Sequence, residues 1–422
     1  MVASLRRMPE PAMRHGAAST VPASDAVALA WTAGACIAML WLPFWAFAGY
    51  LLILTLVGYD RHPAAPAVAI LCVVALVVLG PLVALKLPVP ALGNDKPQYL
   101  GFMTDMRAFG VDVFLAKQPE LLSFASLHAA AALFGINDLA FLALFDFYFG
   151  MLLVSVWRTD YRALPLFLLL FLSASSFFGT YANLIRQAMA LPFIFLTISA
   201  RGRIEAACHA ALAGLAHLPA LAVAAPYVML RCAGRRTAPV GMAAGVLAMG
   251  ASGRDWSALV SSDQADSYLS GKVGLYTSWE NGSTFNVTLF ACMLYALCRA
   301  LWQGNRPRHA TADRRAIDVT QRYLLALTVA AVALVVTRHM TKVYERVYIY
   351  FFVIALMTLS LIVSQIRRGP FKAFVLCGAL GYGAYGFAKN LDNQPFLFRG
   401  DVYAYLTSSL FDLYHDYLME FE

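Results

Sequence analysis

Eleven mainly apolar runs, most of them close to the length of a membrane-spanning helix, constrain what this chain can fold into. A helix that crosses a bilayer needs roughly 20 apolar residues. With 60% hydrophobic residues and 13% charged ones in 422, a soluble interior could not hide this surface. The sequence predicts an all-α polytopic membrane protein of about 11–13 transmembrane or half-spanning helices. The runs are 26–58, 66–88, 138–157, 163–182, 184–200, 205–230, 238–252, 283–302, 321–337, 347–365 and 371–388.

Two of these runs have more than one interpretation. The run 26–58 is one long tilted helix or two short ones broken at Pro43, since proline removes a backbone hydrogen bond. The run 205–230 is interrupted by His217 and Pro219 near its centre. We interpret it as a hairpin of two short helices with His217 at the tip.

The basic residues favour the hairpin. Cytoplasmic ends of spans are rich in Lys and Arg, and five basic clusters fall on one side only if 205–230 turns back. The same rule places the amino terminus in the cytoplasm if 26–58 holds two helices. The five clusters are Arg158 and Arg162; Arg201 and Arg203; Arg231, Arg235 and Arg236; Arg306, Arg308, Arg314, Arg315 and Arg322; and Arg367, Arg368 and Lys372.

The chain is predicted to be one domain with two tails. Residues 1–25 form a polar amino-terminal tail and not a cleaved signal, because the apolar run that follows is too long for one. The membrane domain covers 26–389, with outward loops at 89–137, 253–282 and 338–346, and an outward tail at 390–422. The net charge of +8 is explained by topology, so no nucleic acid partner is expected. Seven cysteines without a CxxC pair indicate no disulfide framework.

The most informative polar stretch begins at Asn183 and includes Arg186 and Gln187. If all three lie on the first turns of one helix, they share a face. The unpaired N–H groups of that helix terminus would add an anion site. The alternative is an arginine that reaches the lipid headgroups.

A second basic cluster lies in the predicted outward turn 338–346. Cations there contradict the positive-inside rule, so a phosphate ligand is the candidate reason for their presence. The alternatives are lipid headgroups or an ion-pair network through Glu345. The residues expected to bind substrate here are Arg338, His339, Lys342, Tyr344 and Arg346.

The outward segment after Pro88 carries acids and aromatics suited to sugar recognition. Asp95 and Tyr99 come first, and Asp105, Asp112 and Glu120 follow. His217 at the hairpin tip could accept a proton near neutral pH. A single histidine in an apolar helix pair is also compatible with a structural role.

Motifs for several other chemistries are not found in the sequence. There is no GxxxxGK[ST] loop, no HExxH, no metal-binding DxD pair in an outward loop and no GxSxG elbow. We therefore expect no metal and no cofactor, with Arg and Lys stabilising a leaving phosphate directly.

These residues together resemble a known family. Asn183-x-x-Arg186-Gln187-x-x-Ala190, preceded by Gly93-x-Asp95 with Tyr99 and followed by His217, is similar to the EpsG family of Wzy-type exopolysaccharide polymerases. The similarity extends from about Pro66 to Lys389, and the NxxRQxxA element is its most specific part.

The resemblance implies an enzyme of the bacterial inner membrane that joins oligosaccharide repeat units carried on polyprenyl diphosphate, without a metal, on the outer side. We expect Arg186, His217 and Asp95 to be catalytic, and Asn183, Gln187 and Tyr99 to bind substrate. The expected partners are the lipid-linked oligosaccharide, membrane lipid and a chain-length regulator protein.

Three alternative functions remain at this stage. An O-antigen ligase would share the outward cations but is expected to carry a larger outward domain than 253–282. A flippase for lipid-linked oligosaccharides would spread its cations along a path through the spans. A membrane O-acyltransferase would place a histidine near the cytoplasmic supply of acyl donor.

Overall fold

The computed structural model describes residues 23–60, 65–84, 95–115, 120–174, 177, 179–233, 284–304, 314–366, 369–392 and 406–418. Within these ranges the chain is helical and contains no strand, so the predicted all-α fold class is confirmed. The helices are α1 Ala23–Trp41, α2 Pro43–Asp60, α3 Ala65–Ala84, α4 Lys96–Phe109, α5 Val111–Leu115, α6 Leu121–Phe134, α7 Asp138–Asp160, α8 Leu164–Ser173, α9 Ile185–Ser199, α10 Arg203–Ala216, α11 Leu221–Ala233, α12 Thr284–Gly304, α13 Arg314–Val336, α14 Thr341–Gln365, α15 Pro370–Asp392 and α16 Leu410–Leu418.

Five segments of the described chain are long and apolar enough to cross a membrane. The protein is therefore a polytopic membrane protein. The most deeply packed is on α14, where 83% of the most apolar stretch is buried inside the protein. The predicted run 238–252 and the predicted loop 253–282 lie outside the described residues. The five segments are Ala65–Ala84, Asp138–Ser173, Asn286–Gly304, Arg314–Val336 and Val343–Gln365.

The first apolar run forms two helices, which decides one open question from the sequence. The α-helix is interrupted at Leu42, directly before Pro43. The hydroxyl oxygens of Thr32 and Tyr50 are 3.0 Å apart, whereas 18 residues of one straight helix would separate them by about 27 Å. Helices α1 and α2 are therefore an antiparallel hairpin, and Ala23 lies at the same end of the bundle as Asp60.

The apolar segment Asp138–Ser173 also folds back on itself. Its turn is at Asp160, whose backbone is extended (φ −159°, ψ 104°), and a 3₁₀ turn, Tyr161–Ala163, leads into α8. The rings of Phe149 on α7 and Phe171 on α8 both contact Phe177, at centroid distances of 5.6 and 5.1 Å. In one continuous helix these two residues would be about 33 Å apart.

The predicted hairpin in 205–230 is present. Helices α10 and α11 pack against each other and are joined by His217 and a 3₁₀ turn, Leu218–Ala220. The close approach depends on Gly214, where a Cβ atom would lie 2.6 Å from a methyl carbon of Leu221. His217 is thereby placed at one end of the bundle, where α10 ends.

The segment 89–137, predicted as an outward loop, contains α4, α5 and α6. Its first helix is held by Lys96, which forms an ion pair with Asp138 and donates a hydrogen bond to the Ala84 carbonyl oxygen at 2.9 Å. The Lys96 ammonium also lies 5.4 Å from the centre of the Phe141 ring. Because these contacts join the ends of α3 and α7, they fix α4 at the same end of the bundle as His217.

Arginines gather at the opposite end of the bundle. Arg315 donates to the Arg158 carbonyl oxygen at 3.3 Å, and Arg322 donates to that of Ala200 at 2.8 Å. Arg231 donates to the same Ala200 oxygen at 2.5 Å. We call this end the arginine-rich face and the end with His217 the site face. Arg235, Arg236, Arg306, Arg308, Arg367 and Arg368 lie outside the described residues.

Candidate functional site

A buried carboxylate joins the polar side chains of the site face. Glu120 is 3% exposed, and its two oxygens serve different partners. Oε2 forms an ion pair with Nη1 of Arg186, while Oε1 is 2.8 Å from Nδ1 of His217 and accepts the Leu218 backbone N–H at 3.1 Å. Three segments that are far apart in sequence therefore meet at one side chain.

Local structure explains why these three segments meet at Glu120. Glu120 directly precedes α6, and the hydroxyl of Ser123 in the first turn donates to the Ala216 carbonyl oxygen at 2.5 Å. This bond brings the start of α6 against the end of α10. The carboxylate then lies at the beginning of the 3₁₀ turn that leads into α11, where unpaired N–H groups favour a negative charge.

The environment keeps Glu120 ionised. Burial alone raises the pKa of this carboxyl group, but the hydrogen bond from His217, the nearby Arg186 guanidinium and the Leu218 N–H together hold the pKa below its ordinary range. At neutral pH Glu120 is therefore a carboxylate that accepts hydrogen bonds on both oxygens.

The same environment defines the state of His217. Burial lowers the pKa of His217 from its ordinary value, and Glu120 opposes this change only in part. The imidazole is therefore neutral at neutral pH, and its Nδ1 carries the proton that is donated to Glu120. Nε2 is then the basic nitrogen. It is buried and has no hydrogen-bond partner among the residues that the structure describes.

Arg186 and Gln187 lie in the first turn of α9, as predicted, but the place of Asn183 differs. Asn183 ends a π-helical turn, Gly179–Asn183, and Leu184 (φ −98°, ψ 56°) separates that turn from α9. The prediction that Asn183 shares a helical turn with Arg186 is wrong, because the non-helical backbone of Leu184 separates the two turns. The side chain of Asn183 lies outside the described residues.

Two further predicted residues join the site through α14 and α4. Gln187 donates from Nε2 to the Arg346 carbonyl oxygen at 2.7 Å, and Nη1 of Arg346 is 3.5 Å from the Gln187 side-chain oxygen. Tyr99 on α4 is fully enclosed; burial raises the pKa of this phenol, and the positive charge of Arg186 opposes the rise. Two guanidinium groups, an imidazole and a phenol thus form one cluster with Glu120.

Aromatic rings line the same site. The Arg186 guanidinium lies 5.7 Å from the centre of the Phe124 ring, a cation–π distance. The Tyr350 ring lies edge-on to the His217 ring at 6.4 Å between centroids. Tyr350 follows Arg346 by one helical turn on α14, so both residues are on the face that is turned to the site.

The structure does not bring every predicted residue to this site. Asp95 lies just before α4, where its charge helps to raise the pKa of Tyr99, but the acid in contact with His217 is Glu120. Tyr344 is buried against α12, where its hydroxyl is 2.8 Å from that of Thr288. Arg338 is exposed in a 3₁₀ turn, Thr337–His339. The side chains of His339 and Lys342 lie outside the described residues.

Sequence reasoning did not single out Glu120. It named this residue only as one of several outward acids, because no motif connects it to Arg186 or His217, which are 66 and 97 residues away. The available signal was its position directly before an apolar helix in a segment rich in polar residues. Within the described residues, no group of three or more His, Cys, Asp or Glu side chains could hold a metal ion.

Fold and site define a class: a polytopic membrane protein with a buried cluster of one acid, one histidine and two arginines at one end of its helix bundle. The EpsG family model matches residues 69–405. This covers most of the chain, so the protein belongs to the EpsG family, as the resemblance indicated. Family membership points to a polymerase-like role in making exopolysaccharide. Comparison with curated proteins and with solved structures found no match.

Proposed function

We propose that this protein polymerises oligosaccharide repeat units carried on polyprenyl diphosphate, by glycosyl transfer on the outer side of the bacterial inner membrane. The observation that carries the proposal is the hydrogen bond between Glu120 and His217. It leaves Nε2 of a neutral imidazole as a base beside two guanidinium groups. A base next to cations suits a reaction that takes a proton from a hydroxyl and releases a diphosphate.

The proposed step transfers one glycan to another. A hydroxyl group of one lipid-linked unit attacks the anomeric carbon of a second unit, and its proton goes to Nε2 of His217. The new bond joins the hydroxyl oxygen to the anomeric carbon, and the bond from that carbon to the diphosphate oxygen breaks. The electron pair leaves with polyprenyl diphosphate, and the proton on His217 is later released.

Arg186 and Arg346 are proposed to offset the charge of the diphosphate. A guanidinium group has five N–H donors in a fixed plane, so Arg186 can serve Glu120 and a phosphate oxygen at once. In a buried site these donors are worth more than in water, because the surrounding dielectric is low. The reaction is therefore proposed to need no metal.

Helix positions support access from the lipid. Glu120 and Arg186 lie at the amino-terminal ends of the short apolar helices Leu121–Phe134 and Ile185–Ser199. We propose that a polyprenyl chain in the bilayer holds its diphosphate at this end of the bundle without leaving the membrane. The arginine-rich face, at the other end, is proposed to be cytoplasmic by the positive-inside rule.

The test is a reaction with purified protein and a defined polyprenyl-diphosphate oligosaccharide. We expect a ladder of longer glycans without nucleotide and in the presence of EDTA. A ladder that disappears with EDTA would contradict the metal-free mechanism. Transfer of one unit to a different acceptor would indicate a ligase, and movement of the lipid across vesicles without new bonds would indicate a flippase.

A further inference from the structure

The arginine-rich face contains a cleft of about 810 Å³. Three parts of the chain meet there: the end of α7 with the turn that follows it, the connection between α9 and α10, and the first turns of α13. The volume lies in the range of ligand sites. The cleft is at the opposite end of the bundle from Glu120, so the proposed polymerisation does not use it.

The charges that line this cleft favour an anion. Five arginines line it, against the three carboxylates of Asp160, Glu205 and Asp318, which leaves an excess of two positive charges. Asp318 forms an ion pair with Arg322 at 2.5 Å, and Glu205 accepts the Arg201 backbone N–H at 2.8 Å. A phosphate group carries about one to two negative charges near pH 7. The five arginines are Arg158, Arg162, Arg201, Arg315 and Arg322.

One buried acceptor in the cleft points to a ligand that also donates hydrogen bonds. Asp160 is 7% exposed, and its Oδ1 accepts from Nε and the backbone N–H of Arg162 at 2.8 and 3.1 Å. Its Oδ2 is buried and has no hydrogen-bond partner within the described chain. A buried acceptor that is left without a donor costs about 1–3 kcal/mol. Asp160 lines the cleft, so a ligand hydroxyl or amino group that reaches Oδ2 from the cleft would remove that cost.

An aromatic wall completes the cleft. The rings of Trp157 and Tyr161 lie 5.5 Å apart with 36° between their planes, and both line the cavity. The positive-inside rule accounts for arginines at this end of the bundle. It does not account for a cavity with aromatic rings and a buried carboxylate oxygen that lacks a donor.

We infer that this cleft binds a phosphate-bearing ligand that also carries a hydroxyl or amino group. The phosphate interacts with Arg158 and Arg201, whose side chains are exposed at the cleft. The hydroxyl or amino group donates to Oδ2 of Asp160. Phosphatidylglycerol in the adjoining leaflet and soluble glycerol phosphate both present this chemistry.

Full-length protein in phosphatidylcholine nanodiscs tests the inference. Calorimetric titration with sn-glycerol 3-phosphate measures a soluble ligand, and native mass spectrometry after addition of phosphatidylglycerol counts retained lipid. We expect saturable binding of one of them. The double variant Arg158→Gln with Arg201→Gln should weaken it by about 10-fold or more, because each arginine contributes charged hydrogen bonds. Arg203→Gln is the matched control, since Arg203 is exposed and does not line the cleft.

Asp160→Asn distinguishes a specific binding site from non-specific attraction of anions to positive charge. The amide retains one acceptor but cannot accept on two oxygens, so this variant should lose the preference for glycerol phosphate over methyl phosphate, which has no carbon-bound hydroxyl. Binding of neither ligand would overturn the inference. An equal loss in Arg203→Gln and in the double variant would overturn it as well. Because the readout is binding, failure here leaves the proposed polymerisation untouched, and the reverse also holds.

Discussion

The two ends of the helix bundle both carry arginines, but they use them differently. At the arginine-rich face, Arg231 and Arg322 donate to the Ala200 carbonyl oxygen, directly after α9 ends. Carbonyl groups at a helix carboxyl terminus need such donors, and cations there are favourable. At the site face, Arg186 instead pairs with the buried Glu120. A buried acid also pairs with an arginine at the arginine-rich face, where Arg162 contacts Asp160. The comparison teaches that a carboxylate shared between an arginine and a histidine, and not an arginine alone, marks the candidate reaction site.

Loss of Arg186 is expected to have the largest effect. Arg186→Ala leaves a buried carboxylate without its main counter-charge, a change that costs about 3–5 kcal/mol in comparable buried pairs. Polymer formation should fall to background. Arg186→Lys should also lose most activity, because an ammonium group cannot reproduce the guanidinium plane. The measurement is glycan length on gels for variants inserted at wild-type level. Normal polymer from Arg186→Ala would remove the distinction between the two ends.

His217→Gln should have the next largest effect. It keeps a hydrogen-bonding side chain but cannot take a proton near neutral pH, and general base catalysis contributes about 10²–10⁴-fold. The initial rate of glycan extension should fall within that range, and the His217→Ala variant should likewise retain slow activity. A full rate with an unchanged pH profile in His217→Gln would make His217 structural, and Asp95 would become the next candidate base.

Arg231 tests the comparison at the arginine-rich face. Arg231→Gln removes donors from the Ala200 and Arg201 carbonyl oxygens, which should lower stability by about 1 kcal/mol or slightly more. Thermal denaturation in detergent measures this loss of stability. Polymerisation at a permissive temperature should stay within about twofold of wild type, because Arg231 lies far from the reacting groups. A loss of activity as large as in Arg186→Lys, without a loss of stability, would show that this end also takes part in the reaction.

The smallest effect is expected at Tyr344, which the sequence placed in a phosphate-binding group. Tyr344→Phe removes the hydroxyl contact with Thr288, and such a bond contributes about 1 kcal/mol. We expect a slightly lower denaturation temperature and almost unchanged substrate affinity. A marked rise in the concentration needed for half-maximal rate would return Tyr344 to the substrate-binding surface.

Much of the fold could be predicted from the sequence because the bilayer imposes one rule on every span. The apolar runs, the hairpin at His217 and the arginine clusters all follow from hydropathy and charge. The helices within 89–137 could not be predicted this way. They contain polar residues, and their positions depend on tertiary contacts such as the ion pair between Lys96 and Asp138.

Part of the site could also be predicted from the cost of polar groups in a membrane protein. Arg186, Gln187 and His217 stand out because polar groups are costly near apolar helices. The pairing of Glu120 with two of them depends on contacts between segments that are far apart in sequence, which no periodicity reveals. Tyr344 and Arg346 are neighbours in the sequence, but on α14 they point in different directions, so one meets α12 and the other Gln187.

The central claim is that Glu120 holds His217 as a neutral base with Nε2 toward the substrate. The most direct test is the pH dependence of the polymerisation rate in wild type and in Glu120→Gln, with Asp412→Asn, at an exposed acid on α16, as control. His217 acts as a base only while it is neutral, so the rate falls as the pH drops through the pKa of His217. The Gln side chain has one acceptor oxygen where Glu120 has two, so it cannot accept from both Arg186 and His217. The plateau of the polymerisation rate should therefore fall by about 10²–10⁴-fold.

The low-pH side of the rate profile, its acid limb, should also move in a defined direction. Glu120 raises the pKa of His217 against the larger effect of burial, so its removal should lower that pKa and move the acid limb to lower pH. We expect a lower plateau together with this shift in Glu120→Gln, and a wild-type profile in Asp412→Asn. An unchanged plateau, or an acid limb that stays in place or moves to higher pH, would contradict it.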